Sequence, residues 1–319
     1  MDISAGLNDP VVQSLRAEVA GTVQAEVSLA RHTTLGVGGL ARAVLRAEST
    51  EDLQAAARVC RDHGLPWLII GRGSNLLVAD SGWDGLVILL GKGLRGVDVI
   101  SDQDPQDVRV QVGAAEPMPV LANKLERLGL QGMAFGVAIP GTVGGAVRMN
   151  AGAHGAQLAD VLVWAQVVRL DSGSAQRITA PELQMSYRHT ALPDAAVVTQ
   201  VEVSLSAGDG PTLAAEMADM RQWRRDHQPI NQPSCGSVFR NPEGDSAGRL
   251  IDSADLLGYQ VGGARISTKH ANFITVTPQA RAADVYAIIR HAQREVRRVH
   301  GIVLHPEVVI AGEFEEGLE

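Results

Sequence analysis

A chain of 319 residues exceeds the usual span of one domain, so two or three packed units with well-formed cores are expected and disorder is excluded. The formal charge of −8 argues against a general affinity for nucleic acid, whose binding rests on Lys and Arg neutralising phosphates. Hydrophobic residues make up 45 % of the chain and aromatics only 3 %, so the cores are expected to be aliphatic, and two cysteines are too few for a disulfide framework or a four-ligand zinc site. Cysteine usage of this kind reads as cytoplasmic. Residues 1–22 carry Asp2, Asp9, Arg16 and Glu18 without a continuous apolar run, so neither a signal peptide nor, further on, a membrane span is expected.

In chain order, Ala41–Ala47 alternates as a strand does, and the apolar spacing of Leu53, Ala56, Ala57 and Cys60 predicts a helix over Ser49–His63. Ser49 and Asp52 form a capping arrangement at its start, and Gly64 stands where a C-terminal cap belongs. A strand at Trp67–Ile70 then runs directly into Gly71-Arg72-Gly73-Ser74-Asn75. The residues after that loop leave no room for the helix of a nucleotide-binding Rossmann turn, and the Gly-Lys-Ser/Thr ending of a P-loop is missing. What remains is either a plain tight turn or a nest whose successive N–H groups cradle a pyrophosphate.

Further strands are predicted at Leu86–Leu90, Val108–Val112, Val161–Leu170 and Val197–Leu205, with a helix at Pro119–Leu128 closed by Gly129. Ala207-Gly208-Asp209-Gly210-Pro211 reads as the main linker, followed by a helix over Thr212–Arg225. That helix ends in Arg221, Arg224, Arg225 and His227, either a solvated face or a dock for an anionic small ligand. A strand at Ala271–Val276, a helix at Ala280–Val299 and a final strand at Ile302–Ile310 complete the chain.

Two segments carry the strongest chemical signal. The run Ala138–Ala153 is rich in glycine, which lets backbone approach a flat ligand, and the interleaved Val143, Val147 and Met149 predict that it packs inside. Further on, Gly236-Ser237-Val238-Phe239-Arg240-Asn241-Pro242 sets a lone serine before a turn, as a catalytic serine facing a bound cofactor would be. Together with His32-Thr33-Thr34-Leu35-Gly36-Val37-Gly38-Gly39, Ser186-Tyr187-Arg188, Gly258–Asn272 and His305-Pro306-Glu307, these segments resemble the UDP-N-acetylenolpyruvoylglucosamine reductase family over nearly the whole chain, from about His32 to Ile310.

The resemblance implies an α+β protein: a vanillyl-alcohol-oxidase-like (PCMH-type) FAD-binding domain of two α/β subdomains, followed by a smaller C-terminal α+β substrate-binding domain. The expected division is an N-terminal segment at 1–24, the FAD-binding domain at 25–206 with subdomains of about 25–90 and 91–206, and the substrate-binding domain at 207–319. Non-covalent FAD and NADPH as co-substrate are implied, the two half-reactions sharing one cleft. By matching motifs, Gly71, Arg72, Gly73, Ser74 and Asn75 would bind the pyrophosphate, while Pro140, Gly141, Thr142, Gly145, Ala146 and Asn150 would line the flavin. His32 is expected to be structural and not a covalent flavin anchor.

For the chemistry, Ser237 matches the family's proton donor, Arg188 the arginine that stabilises the enol form, and Glu307 the glutamate near it. A glutamate opening a valine-rich strand would be costly to bury alone, and pairing with Arg188 removes that difficulty. Tyr187, Asn241, Lys269 and His270 match nucleotide-sugar contacts, although Lys269 and His270 fit a solvated turn equally well. The substrate implied is UDP-N-acetylglucosamine enolpyruvate, with no nucleic acid, membrane insertion or metal. Cys235 is expected to pack passively. The short span between the arginine-rich helix and Ser237 leaves little space for a tyrosine-bearing insertion, so the chain resembles the compact branch. The rival readings are another FAD-dependent oxidase or dehydrogenase on this scaffold and a non-catalytic flavin- or nucleotide-sugar-binding module; neither needs Arg188, Ser237 and Glu307 together.

Overall fold

A computed structural model describes residues 9–315, so the first eight residues of the expected N-terminal segment, Asp2 among them, and the last four of the chain lie outside the described residues. The described chain gathers into two compact units between which it passes repeatedly. The first holds residues up to Ala25, Ala43–Gly71 and Gly85–Trp223; the second holds Glu26–Arg42, Arg72–Asp84 and the residues from Arg224 on.

Two sheets organise the first unit. One has the strand order Thr22–Ser28, Leu40–Ala47, Trp83–Leu90, Trp67–Ile70, with Trp67–Ile70 parallel to Leu86–Leu89. Helices α1 (Pro10–Glu18) and α2 (Thr50–Asp62) cover it, and Val12, Leu15, Leu45, Leu53, Leu86 and Ile88 are buried together. The second sheet runs Ala175–Thr179, Leu162–Arg169, Ala196–Ala207, Val108–Gly113, Val97–Ser101, antiparallel throughout, with Leu130–Gln131 pairing the far end of Ala196–Ala207. Alternate residues of these strands meet helices α3 (Met118–Arg127) and α4 (Val143–Met149), so that Val110, Val112, Leu121, Leu125, Phe135, Val143, Val147, Val201 and Val203 form one aliphatic core.

Helix α5 (Gly210–His227) carries the chain from one unit to the other. Its Met217 and Met220 pack on Ala122 and Val137, and the Arg221 guanidinium donates to Asn123 Oδ1 at 2.6 Å. For that reason the compact unit extends through Trp223, beyond the glycine-proline turn at 207–211.

In the second unit an antiparallel sheet has the order Ser234–Ser237, Phe273–Val276, Ala264–Ile266, Gln260–Val261. Helices α6 (Ala247–Ser253) and α7 (Ala282–His300) bury Leu250, Ile251, Val285, Ile288 and Ile289 beside it. Leu35, Val37 and Leu77, from distant parts of the chain, enter the same core, and Leu76–Val78 pairs in parallel with Val309–Ala311.

Most of the expected elements stand within one to three residues of their predicted ends. Two differ for physical reasons. The Ala138–Ala153 run is not a loop throughout: Thr142 Oγ1 accepts from Gly145 N at 3.4 Å and opens α4, a helix that adjacent glycines conceal in the sequence. A Cβ at Gly144 would come within 3.2 Å of the Ala114 methyl, so the helix-weakening glycine goes with close packing there. The final strand is only Val309–Ala311. Upstream of it Pro306 cannot donate, and Glu307 and Val308 both turn their N–H groups to the single carbonyl of Val238.

Asp52 exemplifies local order made by one side chain. It is 2 % exposed, and its carboxylate accepts from Ala20 N at 2.7 Å, Gly21 N at 3.2 Å and Glu48 N at 2.8 Å, while its own N–H is capped by Ser49 Oγ. Asp52→Ala strands three N–H donors and should cost at least about 3 kcal/mol, read as a lowered midpoint in urea with an unchanged slope. Burial pushes the Cys60 thiol up to about 11 and, with help from the Glu307 charge, the Cys235 thiol up to about 12. Both thiols stay protonated when folded, a contribution present below the ordinary thiol value and lost as pH rises towards those figures. A thiol-specific chromogenic reagent at pH about 8 should therefore find no reactive cysteine in the native protein and both in denaturant; rapid native labelling of Cys235 would contradict its passive role.

Candidate active site

In the first unit the site residues are arranged around α4. Gly71 follows the Trp67–Ile70 strand, and a Cβ there would stand 2.8 Å from Thr142 Oγ1, so the loop passes close to the start of α4 and a side chain would displace the Thr142 hydroxyl. Gly141 accepts from Met118 N, and Gly145 is exposed on the first turn with no neighbour closer than 3.6 Å to a Cβ built there. That leaves an uncovered backbone face at the N-terminus of α4.

At the other end, Asn150 adopts the left-handed conformation with φ 41° and is 1 % exposed. Its amide is wholly engaged by protein: Nδ2 donates to Gln157 Oε1 at 3.0 Å and to Ser186 O at 2.9 Å, and Oδ1 accepts from Ala159 N at 3.0 Å. Ser186 opens the turn that carries Tyr187 and Arg188, closed by Ser186 N to His189 O at 3.0 Å and His189 N to Ser186 O at 3.1 Å. Arg188 has φ 54°, a strained value for a residue with a Cβ, and its Nη2 donates to Gly152 O at 3.4 Å. The Tyr187 ring is 54 % exposed, with the Arg188 guanidinium 5.1 Å from its centroid.

The second unit holds Arg72–Asn75, Ser237 and Glu307. Gly73 has φ 62° and a Cβ there would fall 1.9 Å from the His32 carbonyl oxygen, so this position must be glycine. His32 is thereby placed as backbone support for the loop. Thr34 clasps the same loop, its N–H donating to Gly73 O at 3.0 Å and its hydroxyl to Ser234 O at 2.6 Å. Ser234 begins the strand that ends in Ser237, and Gly236, at φ 75° in the irregular pairing between Ser234 and Ser237, would bring a Cβ within 3.8 Å of Ser74 O. The Gly71–Asn75 loop and the serine strand are thus joined through Thr34.

Glu307 is drawn to the same place. Its N–H donates to Val238 O at 2.8 Å, one residue beyond Ser237, and its carbonyl accepts from Asn75 Nδ2 at 3.0 Å. Asn272, 4 % exposed, locks the residue after that: Oδ1 accepts from Phe239 N at 2.9 Å and Nδ2 donates to Phe239 O at 2.8 Å. Thr34 and Asn272 carry the serine's geometry and have no role in the sequence reading. The available signals were a threonine pair beside the glycines and a lone asparagine opening an otherwise apolar strand.

The residues matched to nucleotide-sugar contacts are more dispersed. Asn241 uses Oδ1 to accept from Ala247 N and so fastens the start of α6, while its Nδ2 remains for another partner. The ammonium of Lys269 donates to the Arg225 carbonyl, and Lys269 lines a cavity of about 190 Å³ with Gln228–Gln232, Arg265, Ser267 and Thr268. His270 packs edge-on against Phe273 and accepts from Asn272 N through Nδ1; burial, and secondarily the charge of His227, holds its pKa below the ordinary histidine value. At neutral pH it is an uncharged ring.

Each unit therefore carries part of the expected constellation: Arg188 and the 140–150 run in the first, Ser237, Glu307 and Arg72–Asn75 in the second. The donor set of Arg72–Asn75 suits a pyrophosphate. Among the described residues the four successive N–H groups of Arg72, Gly73, Ser74 and Asn75 donate to no protein acceptor, while the Gly73 and Asn75 carbonyls are engaged by Thr34 N and Val309 N. Gly145, exposed and without a Cβ on the first turn of α4, leaves room there for a flat ring. No described helix is long and apolar enough to cross a membrane, and no described group of three His, Cys, Asp or Glu residues could hold a metal ion.

Comparison with known proteins gives the family. A family model described as UDP-N-acetylenolpyruvoylglucosamine reductase, C-terminal domain, matches residues 228–311, and one for an FAD binding domain matches residues 41–179. The chain is 45 % identical over 291 residues to the UDP-N-acetylenolpyruvoylglucosamine reductase of Synechococcus sp. (strain RCC307), covering 91 % of this chain and 94 % of that one. Against the enzyme of the same name from Halalkalibacterium halodurans the identity is 41 % over 306 residues, covering 96 % and 99 %. The crystal structure of UDP-N-acetylenolpyruvylglucosamine reductase from Thermus caldophilus superposes with a TM-score of 0.77 at 35 % identity, covering 92 % of this chain and all of that one. The expected α+β class, with an FAD-binding domain and a C-terminal domain of this kind, is met. On sequence, coverage and fold together, the chain belongs to the UDP-N-acetylenolpyruvoylglucosamine reductase family.

Proposed function

We propose that the protein is an FAD-dependent oxidoreductase that reduces UDP-N-acetylglucosamine enolpyruvate to UDP-N-acetylmuramate at the expense of NADPH, a step in making peptidoglycan precursor in the cytoplasm. The observation that carries the reading is the junction at Val238, where the backbone of Glu307 is hydrogen-bonded one residue from Ser237 in a chain of this family. Gly71, Arg72, Gly73, Ser74 and Asn75 would hold the FAD pyrophosphate. Pro140, Gly141, Thr142, Gly145 and Ala146 would line the flavin; Asn150, matched to the same role, has its amide engaged by Gln157, Ser186 and Ala159 and would support the run from behind instead. When bound, FAD supplies the hydride carrier between NADPH and the enolpyruvyl double bond.

The chain's own residues have to manage charge and a proton. Hydride addition to the terminal carbon leaves an electron pair on the neighbouring carbon, delocalised into the substrate carboxylate. The Arg188 guanidinium would stabilise that enolate, because a fixed cation in a low-dielectric site acts most strongly where charge develops. Ser237 would then give its hydroxyl proton to the carbon, completing net addition of hydride and proton across the C=C bond. A serine hydroxyl is a weak acid, and a carbanion is a base strong enough to take its proton. Glu307, held beside this strand, would orient the reacting group.

Substrate contacts are assigned to Tyr187, Asn241, Lys269 and His270. The exposed Tyr187 ring, the unused Asn241 Nδ2 and the uncharged His270 ring support hydrogen-bonding and stacking roles. The domain division at 25–206 and 207–319, after an N-terminal segment at 1–24, belongs to this proposal. So does the compact branch, since α5 ends at His227 and the strand of Ser237 begins at Ser234.

Purified under anaerobic conditions, the protein should be yellow, bleach with NADPH and regain its colour with the enolpyruvyl substrate. Yellow protein that bleaches but does not recolour would keep the flavin and remove the substrate from the proposal. Ser237→Ala should leave reduction by NADPH close to the parent rate and slow reoxidation by substrate by about 10²- to 10⁴-fold, the range for loss of a positioned proton donor. Equal loss in both half-reactions, followed by stopped-flow absorbance, would assign Ser237 to flavin binding instead.

A further inference from the structure

We infer that Asn150 is a positioning residue for Arg188, acting through the Ser186–His189 turn. The inference rests on the reading of Arg188 as the group that meets the developing enolate. Three observations lead to it. Asn150 Nδ2 donates to the carbonyl of Ser186, the residue that opens the arginine's turn, at 2.9 Å. The same Nδ2 and Oδ1 hold Gln157 and Ala159, so Asn150 also roots the short hairpin Gly152–Ala153 and Ala156–Gln157. That hairpin presents the Gly152 carbonyl to Arg188 Nη2. One buried amide therefore fixes the base of the turn and the acceptor that its arginine meets.

The turn needs such a hold. Arg188 sits at φ 54°, where a residue with a Cβ is disfavoured, so the isolated turn would relax and swing the guanidinium away. Its other side is tied as well, since Thr190 Oγ1 donates to Arg148 O at 3.4 Å and Arg148 reaches the carbonyls of Leu192 and Pro193. Both anchors come from the C-terminal end of α4, Arg148 within it and Asn150 as its C-cap. Asparagine is suited to position 150 on two counts: it tolerates the left-handed backbone, and its amide offers donors and an acceptor from a short side chain. Glycine would keep the backbone and lose the bonds; aspartate would keep the shape and the bond from Ala159 and lose the donor.

The test is a double-mutant cycle on the FAD-loaded enzyme, with Asn150→Asp, Asn150→Gly and Arg188→Ala alone and combined. The two half-reactions are read separately by stopped-flow, with NADPH and then UDP-N-acetylglucosamine enolpyruvate. The expected result is normal flavin content and normal reduction by NADPH in both Asn150 variants, with reoxidation slowed about 10- to 100-fold, as for a catalytic group displaced by about an ångström. In the Arg188→Ala background the Asn150 changes should have no further effect. Losses that multiply across the two sites would overturn the inference while Arg188 keeps its assigned role. Lost FAD or slowed reduction in both Asn150 variants would likewise overturn it, placing Asn150 against the flavin. If Arg188→Ala by itself leaves reoxidation unchanged, the assignment of Arg188 falls and the inference with it.

Discussion

The second unit is organised around a backbone that must turn its acceptors inward and its donors outward. Over Arg72–Asn75 the Gly73 and Asn75 carbonyls and the Asn75 amide are taken by Thr34, Val309 and Glu307, while the four N–H groups have no protein partner. A buried peptide normally satisfies both its groups. Leaving one polarity unused over four residues is tolerable only where water or an anion takes it. The glycine at 73, pressed against the His32 carbonyl, and the parallel pairing of Leu76–Val78 with Val309–Ala311 follow from that requirement.

Once the loop is set, the strand that carries Ser237 is set with it. Thr34 bonds to Gly73 and to Ser234, and Val238 accepts from Glu307, whose carbonyl in turn accepts from Asn75. A hydroxyl that is to donate a proton has to be placed to a fraction of an ångström. Here short side chains, Thr34 Oγ1 on Ser234 O and Asn75 Nδ2 on Glu307 O, share this with the backbone bond from Glu307 N to Val238 O. In the first unit the same end is met differently: Arg188 occupies a disfavoured backbone conformation, costing of order 1–3 kcal/mol, and the C-terminal end of α4 holds it there.

Much of this was legible in the residues. Ser49 and Asp52 announced the start of α2, Gly64 and Gly129 the ends of two helices, and the missing helix after Asn75 excluded a Rossmann turn, which the strand at Leu76–Val78 agrees with. Val143 and Val147, among the glycines of 138–153, do enter the core, as their spacing indicated, while Pro140 and Gly145 of the same run are exposed. Local pattern failed where packing overrides propensity: α4 carries Gly144 in its first turn, close against Ala114, and the valine-rich tail from Ile302 is mostly not strand because Pro306 interrupts its donors. The helix at 210–227 was read from its spacing, but its membership of the first unit depends on Met217 and Met220 finding Ala122 and Val137.

By itself the sequence determined the element types and the family, because helix period, caps, glycine spacing and a specific motif set are properties of neighbouring residues. Only the tertiary structure decided that Thr34 joins the Gly71–Asn75 loop to the serine strand, that Asn75 reaches Glu307, and that Asn150 holds the turn of Arg188. These bonds link residues 200, 232 and 36 positions apart. No local periodicity encodes them. They arise because closing such long loops costs conformational entropy that one hydrogen bond cannot offset, so they form only after the cores have brought the segments together.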